Sequence, residues 1–220
     1  RPLQELILNH LRRIALTLPY ARAQANNHAI TEAAGLFLGG AVLHAMQEDD
    51  SRSEGLRFRE KGQKLLEEAA LSLVESDGSF SQRSTNYHRL LLDTLSISVW
   101  AQQRLQAPTF STRFLERFRS AFDWLYQVVD PLSGQAPNLG GNDGGLLFSL
   151  TSCDFTDYRP SLQLASSQIG YSSPFPPGPW DEAAAWLRIT PKAASSPLER
   201  TSCTRSEGGY VVLRPHARTL

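Results

Sequence analysis

Apolar residues recur every three or four positions in five successive segments, and this pattern constrains the fold more than any other feature of the chain. The segments cover residues 3–18, 28–47, 58–73, 90–99 and 112–129. One face of an α-helix produces such a spacing. We therefore predict a series of helices of about 15–20 residues, whose short connections favour antiparallel neighbours.

Local signals predict where several of these helices begin and end. Asn26-Asn27 precedes the second helix and Ser111 precedes the fifth, and both residue types are favoured N-caps. The turn dipeptide Asp77-Gly78 ends the third helix. Asp130-Pro131 ends the fifth, because the residue before a proline avoids helical backbone angles. The fourth helix is apolar on nearly all sides, so we expect it to be deeply buried.

The pattern changes after the fifth helix. Residues 131–145 are rich in glycine and predict an ordered loop, and shorter helices follow around 158–168 and 180–188. Residues 190–207 contain many Ser, Thr and Pro residues, and we interpret them as a linker. Residues 208–215 place β-branched and aromatic side chains between two glycines and a proline, which is typical of a β-strand. A single strand leaves its edges unpaired, so an all-β domain is predicted to begin there.

Composition and charge exclude several classes of protein. With 41% apolar residues the chain can bury a core, so it is not intrinsically disordered. Its two cysteines, Cys153 and Cys203, exclude a disulfide-rich miniprotein and are either free thiols or one bridge. No apolar run reaches the roughly 20 residues of a membrane-spanning helix. Twenty-two basic and 22 acidic residues cancel, which argues against nucleic-acid binding driven by bulk charge.

Three polar clusters interrupt the apolar patterns and are candidates for chemistry. The first is Asn26-Asn27-His28, which helix capping also explains. In the second, residues 77–88, a Tyr-His pair opens the fourth helix as either a hydrogen-bonded core pair or a proton-transfer pair at a pocket. The third is the glycine-rich stretch 137–145, whose spacing is not that of a phosphate-binding loop. The histidines and cysteines do not have the spacing of metal ligands.

Taken in order, these clusters resemble the heparinase II/III type polysaccharide lyases. The resemblance includes Asn-Asn-His at 26–28 and Asp-Gly-x-Phe-x-x-x-Ser-x-x-Tyr-His at 77–88. It continues with Asn-x-Gly-Gly-Asn-Asp-Gly-Gly at 138–145 and Asp-Tyr-Arg-Pro at 157–160. The stretch Gly-Gly-Tyr-Val-Val-Leu-Arg at 208–214 is similar to the first strand of that family's C-terminal domain.

The resemblance implies a mainly α fold: an incomplete α/α toroid of antiparallel helix pairs, followed by an antiparallel β-sandwich. Residues 1–189 then form the toroid catalytic domain, residues 190–207 the linker and residues 208–220 the start of the sandwich. We expect further toroid helices before residue 1 and the rest of the sandwich after residue 220. Helical periodicity alone is also compatible with a bundle or a solenoid.

The resemblance also implies an activity, the β-elimination of uronic-acid-containing polysaccharides without a cofactor or a metal in these residues. Asn27 would neutralise the substrate carboxylate, His28 would hold that group or transfer a proton, and Tyr87 would be the general acid and, in some members, the base. A tyrosine base needs a cation that lowers its pKa, and Arg83 or Arg89 could supply it. The further predicted substrate contacts are Asn26, Arg83, His88, Arg89 and Asn142.

The expected partner is an acidic polysaccharide, with neither nucleic acid nor a membrane span, and the expected location is the periplasm or the outside of the cell. Three other interpretations stay open. The chain could be a glycan-binding helical domain without catalysis, or a scaffold whose polar clusters are only caps and turns. It could also be a toroid glycoside hydrolase, which needs two carboxylates. The candidates for those carboxylates are Glu32, Asp77 and Asp143.

Overall fold

The computed structural model describes residues 2–46, 51–193 and 199–214 and is mainly helical, as predicted. The described residues form five long helices: α1 (Pro2–Ala23), α2 (Asn27–Ala45), α3 (Ser51–Leu73), α4 (Thr85–Arg104) and α5 (Thr112–Val128). Helix α6 (Arg159–Gln168), a short 3₁₀ turn (Pro179–Asp181) and helix α7 (Glu182–Trp186) follow. Strands β1 (Cys203–Arg205) and β2 (Tyr210–Val212) come last and form a two-stranded antiparallel sheet.

Side-chain caps define the starts of the main helices. The Asn26 side chain accepts a hydrogen bond from the backbone N–H of His28 at 3.0 Å and thereby begins α2. The Ser111 hydroxyl accepts one from the N–H of Phe114 at 3.3 Å and begins α5. Both predicted caps are therefore confirmed. Helix α5 ends at Val128 with Val129 as its C-cap, immediately before the predicted stop at Asp130-Pro131.

Helix α4 lies at the centre of the fold and packs against α2, α5 and α6. Its apolar side chains Leu91, Leu92 and Leu95 are completely buried, so the predicted burial of this helix is confirmed. The neighbouring helices contribute large aromatic side chains to the same core. The fully buried ones are Phe37, Phe114, Phe118 and Phe122.

Helices α2 and α3 cross so closely that glycine is required at the contact. A Cβ on Gly62 would lie 2.2 Å from the backbone nitrogen of Phe37, and one on Gly40 would lie 2.3 Å from that of Arg59. Real Cβ atoms essentially never approach another atom this closely. The three glycines Gly40, Gly55 and Gly62 therefore let the two helix backbones touch.

The C-terminal strand differs from the prediction, because it is not alone. Strand β1 lies inside the predicted linker 190–207 and pairs with β2 in the register Cys203↔Val212. Its three residues lie in a Ser/Thr-rich stretch without apolar alternation, so the sequence pattern did not reveal it. The sandwich itself stays a prediction, and residues 215–220 of the predicted segment 208–220 lie outside the described residues.

The hairpin formed by β1 and β2 is attached to the helical part of the chain. The Asp77 carboxylate accepts hydrogen bonds from the backbone N–H groups of Glu207 at 2.9 Å and Gly208 at 3.2 Å. The ring of Tyr210 packs edge-on against Trp124, with 5.1 Å between the ring centroids. The Asp77-Gly78 turn after α3 thus serves as the anchor of the hairpin.

Two further findings concern the described part of the chain as a whole. None of its helices combines the length and the apolar character that crossing a membrane requires. Cys153 and Cys203 are both half-buried free thiols, so they do not form a bridge in this structure.

We predict that Gly62→Ala lowers the melting temperature, because the new methyl group forces the backbones of α2 and α3 apart. Overpacking of this kind costs about 1–3 kcal/mol, whereas Gly to Ala inside an unhindered helix stabilises by about 0.5–1 kcal/mol. Thermal unfolding followed by circular dichroism measures the change. Gly141→Ala is the control, since a Cβ there meets nothing within 4 Å. A Gly62→Ala variant that melts at or above the wild-type temperature would contradict the close crossing.

Candidate functional site

The N-terminus of α4 is held under the glycine-rich loop, residues 137–145. The Thr85 hydroxyl donates to the carbonyl oxygen of Pro137 at 2.7 Å, and its backbone N–H donates to that of Leu139 at 3.1 Å. The Ser84 hydroxyl caps α4 and donates to the carbonyl oxygen of Gly141 at 2.5 Å. Gly140 has a φ of +66°, and a Cβ there would lie 2.2 Å from the Arg83 carbonyl oxygen. The loop therefore needs glycine where it crosses the helix start.

Tyr87, in the first turn of α4, is bound to this loop through its phenol. Its hydroxyl donates to the Asp143 carboxylate at 2.6 Å, and the other carboxylate oxygen accepts from the N–H of Gly145 at 3.2 Å. The hydrogen bond to a carboxylate raises the pKa of Tyr87 above its usual value of 10.0 and lowers the pKa of Asp143. Tyr87 is therefore a protonated, partly exposed phenol at neutral pH.

This geometry corrects one expectation about Tyr87. A tyrosine that acts as a base requires a neighbouring cation, and Arg83 and Arg89 were the candidates. The dominant neighbour is instead the Asp143 carboxylate, which moves the pKa of Tyr87 in the opposite direction. The arrangement favours proton donation by Tyr87 over proton abstraction.

The start of α2 lies beside the segment that leads into α4. The backbone N–H of Asn27 donates to the side-chain oxygen of Gln82 at 3.1 Å, and the Ser81 hydroxyl donates to the carbonyl oxygen of Ala25 at 3.0 Å. Asn27 is half-buried and His28 is exposed. These contacts bring Asn27 and His28 to the same end of the fold as the first turn of α4. The sequence predicted this grouping only through the family resemblance.

Arg83 and Asn142 have positions or partners that the sequence did not specify, whereas Asn26 is the predicted cap. The Asn26 side chain caps α2 and also donates to Gln24 at 3.3 Å. Arg83 is exposed and has a φ of +45°, an uncommon angle for a residue other than glycine. Asn142 donates to Asn138 at 2.9 Å and accepts from Gly144 at 3.1 Å, so its side chain shapes the loop.

His88 lies in the core and not in a cleft, which corrects its predicted role as a substrate contact. It is 1% exposed, its ring stacks on Trp124 at 4.5 Å, and its Nε2 donates to the carbonyl oxygen of Ala121 at 2.8 Å. Burial lowers the pKa of His88 to about 4, so the ring is neutral at physiological pH. A side chain so enclosed acts only through the position of α4.

Arg89 is also buried, but it lines a cavity. Its guanidinium lies over the rings of Phe155 at 4.2 Å and Tyr158 at 4.5 Å. It donates to the carbonyl oxygen of Phe155 at 2.5 Å and to the side-chain oxygen of Asn86 at 2.7 Å. The cavity beside it has a volume of about 120 Å³ and is also lined by Asp93. Arg89 therefore lies in the wall of this cavity and not at the outer surface.

Sequence reasoning missed Asp93, which is 3% exposed on α4. Burial raises its pKa to about 7, although contact with the Ser161 side chain and the charge of Arg89 both act in the opposite direction. The available signal was an acidic residue directly after Leu90, Leu91 and Leu92 in a helix that is apolar on nearly all sides. A carboxyl group in such a position must find polar partners inside the protein.

Across the described ranges 2–46, 51–193 and 199–214, no group of three or more His, Cys, Asp or Glu side chains is arranged to hold a metal ion. Comparison of the chain with protein-family models, with curated proteins and with solved structures finds no match. The assignment of a function therefore depends on the geometry of the site and on the residue pattern.

We predict that acidification destabilises the protein partly through His88. Its pKa is about 4 in the folded state against about 6.5 for a free histidine, so the folded state binds fewer protons than the unfolded state between these values. The stabilisation is complete above pH 6.5 and is lost as the pH falls toward 4, by up to about 3 kcal/mol. Chemical unfolding of wild type and His88→Phe at several pH values measures the difference.

Exposed His10 provides the matched control for this experiment, because His10→Gln leaves the core unchanged. The His88→Phe variant should lose less stability than wild type between pH 6.5 and 4, whatever its stability at pH 7. Parallel pH profiles for wild type and His88→Phe would contradict the buried neutral histidine.

We predict that Asp143→Asn lowers the pKa of Tyr87 toward 10, since the neutral amide no longer favours the protonated phenol. Carbon-13 NMR of labelled tyrosine ring carbons follows this titration directly. Asp154→Asn is the control, because the Asp154 carboxylate accepts from Thr156 in its own turn at 2.8 Å. An unchanged Tyr87 titration in Asp143→Asn would show that the 2.6 Å contact does not persist in solution.

Proposed function

We propose that this chain is the helical, toroid-type part of a polysaccharide lyase that cleaves a uronic-acid-containing glycan by β-elimination. The observation that carries the proposal is the Tyr87 hydroxyl, which is partly exposed and held protonated by Asp143 at 2.6 Å. It lies on the first turn of α4, at the end of the fold where Asn27 and His28 begin α2. The resemblance to heparinase II/III type lyases names the same residues.

The reaction needs groups that stabilise negative charge, remove a proton and donate a proton. The proton to be removed is on carbon 5 of the uronate, next to the carboxylate, and is very weakly acidic. Negative charge accumulates on that carboxylate as the proton leaves, so preorganised donors lower the barrier. The amide of Asn27 is such a donor, and the positive end of the α2 dipole adds to its effect.

We assign proton removal to His28 and proton donation to Tyr87. The imidazole of His28 takes the proton from carbon 5, a double bond forms between carbons 4 and 5, and the bond from carbon 4 to the glycosidic oxygen breaks. The leaving oxygen takes the phenol proton of Tyr87, which turns from Asp143 toward the substrate. The leaving group is a sugar alcohol, which is a far weaker acid than a phenol, much as water is with its pKa of about 15.7. The leaving oxygen therefore binds a proton more strongly than the phenolate of Tyr87 does, and the raised pKa of Tyr87 still permits this step.

The zero net charge of the chain is compatible with an acidic substrate, because recognition needs only a few local groups. Arg83 is exposed just before α4 and can interact with the polymer at this end of the fold. Acidic polysaccharides are found mostly outside the cytoplasm, which is the reason for proposing a periplasmic or secreted location. In the family, the later part of the chain supplies a further catalytic His or Tyr. We propose that a residue of this kind completes the site in this protein.

A glycoside hydrolase is less well supported by the contacts of the three candidate carboxylates. Asp77 accepts hydrogen bonds from Ser79 at 2.9 Å and from two backbone groups of the hairpin. Asp143 is engaged by Tyr87, and Glu32 accepts a long hydrogen bond from Thr17 at 3.4 Å. Two of the three carboxylates therefore have structural partners that a hydrolase pair would have to give up.

We predict that Tyr87→Phe lowers the turnover of a uronate glycan by about 100-fold or more, the size of effect usual for loss of a general acid. The full-length protein is incubated with heparan-like, alginate-like and capsular polysaccharides, and the ultraviolet absorbance of the unsaturated uronate is followed. Tyr20→Phe is the matched control, since Tyr20 is an exposed tyrosine on α1.

The outcomes separate the proposed activity from its alternatives. Absence of the unsaturated product with every glycan, or a Tyr87→Phe variant as active as wild type, would refute the assignment. New reducing ends without ultraviolet absorbance would indicate hydrolysis. Retained affinity without any product would indicate a glycan-binding domain.

A further inference from the structure

A groove with a volume of about 460 Å³ lies between α1 and α3 and shares no residue with the candidate site or with the cavity beside Arg89. Its size is within the usual range of ligand pockets, about 300–1,000 Å³. Its apolar lining consists of Leu18, Pro19 and Leu65. The remaining residues of the lining all carry charge and are Arg22, Lys61, Lys64 and Glu68.

Two ion pairs join α1 to α3 and account for the carboxylates between them. Arg12 on α1 lies 2.8 Å from Glu54 on α3, and Arg22 lies 3.2 Å from Glu68. Both partners of the second pair lie further along their helices than those of the first, so α1 and α3 run side by side in the same direction. Within the described residues, Glu68 is the one carboxylate that lines the groove, and Arg22 neutralises it.

The two lysines of the groove are free to contact a ligand. Lys61 and Lys64 are exposed, and neither forms an ion pair or a hydrogen bond with another residue of the ranges 2–46, 51–193 and 199–214. They are three residues apart on α3, so they share one face of the helix with about 5–6 Å between their Cβ atoms. Two of the three lysines of the chain therefore lie together in this groove.

The charge of the groove favours an anionic ligand over a neutral one. Three cations line it against one carboxylate, which leaves an excess of two positive charges in a chain whose net charge is zero. An anion gains Coulomb attraction from this excess, whereas a neutral sugar only exchanges hydrogen bonds with water for similar ones. Each ammonium group offers three donors and no acceptor. Two such groups side by side match a ligand with more than one anionic group.

The groove leads toward the end of the fold where the proposed catalytic residues lie. Arg22 is in the last turn of α1, five residues before Asn27, so their Cα atoms are at most about 17 Å apart. Lys64 is nine residues before the end of α3 at Leu73, about 14 Å along the helix axis. Helices α2 and α3 are antiparallel at their glycine contacts, so the end of α3 lies beside the start of α2. A polymer bound at Asn27 can therefore extend into the groove.

The shape and lining of the groove favour a polysaccharide over other polyanions. Single-stranded nucleic acids are bound through bases that stack on aromatic side chains. The described residues that line this groove include no aromatic side chain. A bilayer surface does not enter a concave groove, and the basic clusters that bind anionic lipids contain about four to eight cations. The apolar floor of Leu18, Pro19 and Leu65 can contact the C–H faces of sugar rings.

We propose that the groove between α1 and α3 binds anionic groups of an acidic polysaccharide through Lys61 and Lys64, on the same polymer whose uronate is cleaved beside Asn27 and His28. The inference rests on the proposed lyase function and specifies its substrate. The polymer bears further acidic groups at a distance from the unit that is cleaved. Carboxylate and sulfate groups share the chemistry that the lysines recognise, so the test includes both.

The test measures binding of three octasaccharides to the full-length protein carrying Tyr87→Phe, by calorimetry at low and at physiological salt. One probe consists of uronate alone, one is sulfated and one consists of neutral glucose. The Lys61→Gln/Lys64→Gln variant should bind the acidic probes about three- to tenfold more weakly, the effect of losing two exposed ion pairs. Its affinity should also depend less on salt, because fewer counterions are released. Binding of the neutral probe should not change.

The matched control is Arg113→Gln/Lys192→Gln, which removes the same charge outside the groove. Arg113 is exposed on α5 and Lys192 is exposed after α7. An equal loss of affinity in this control would indicate an effect of bulk charge and would overturn the groove. Unchanged affinity of the Lys61→Gln/Lys64→Gln variant would overturn it too, as would failure of the parent protein to bind either acidic probe.

Further outcomes identify the anion and separate this inference from the lyase. Lysine-dependent binding of the uronate probe or of the sulfated probe supports the groove and shows which anion it accepts. Single-stranded DNA that binds there more tightly than both would overturn the assignment to a polysaccharide. Lysine-dependent binding by a protein that forms no unsaturated product with Tyr87 intact would retain the groove and refute the lyase. Product formation with unchanged affinity in the lysine variant would retain the lyase and refute the groove.

Discussion

The structure depends on the burial of α4, a helix that is enclosed on nearly all sides and still carries polar residues. A buried polar group that lacks a partner costs about 1–3 kcal/mol. Thr94, Ser96 and Ser98 bond to carbonyl groups of α4 itself, and others recruit a partner from another part of the chain. Thr85 bonds to the glycine-rich loop, His88 to α5 and Arg89 to the segment after that loop. The polar groups of one helix thereby hold the loops that form the candidate site and its cavity.

Close backbone contact is the second requirement, and it positions the elements around α4. Glycines at the crossing of α2 and α3 let these helices approach without side chains between them, and α2 in turn packs on α4. Gly140 has the same function where the loop crosses the carbonyl group of Arg83. The start of α2 and the start of α4 therefore lie side by side, with Asn27 hydrogen-bonded to Gln82 at 3.1 Å.

The electrostatics of the site follow from these positions. The loop brings the Asp143 carboxylate to the Tyr87 hydroxyl and keeps that phenol protonated, as a proton donor requires. His88 is the next residue along the helix, but it faces the core, because successive residues of a helix point in directions about 100° apart. Adjacent residues of one sequence cluster thus have opposite roles, one at the surface and one in the interior.

Much of the fold could be predicted from local patterns, because helix periodicity and caps depend on neighbours in the sequence. The caps at Asn26 and Ser111, the end of α5 and the burial of α4 were all predictable in this way. Strand β1 was not, since its pairing with β2 depends on residues that come later in the chain and on the anchor at Asp77. Its own three residues carry no periodicity to detect.

The sequence by itself determined which residues are polar within apolar elements, and hence that Asn27, His28 and Tyr87 are candidates for chemistry. The tertiary structure decided what each of them meets. It paired Tyr87 with Asp143, 56 residues away, enclosed His88 against Trp124, and left the Nε–H of Arg89 without a partner in a cavity with Asp93. Burial and long-range contacts set pKa values and hydrogen-bond partners, and neither is encoded in a local pattern.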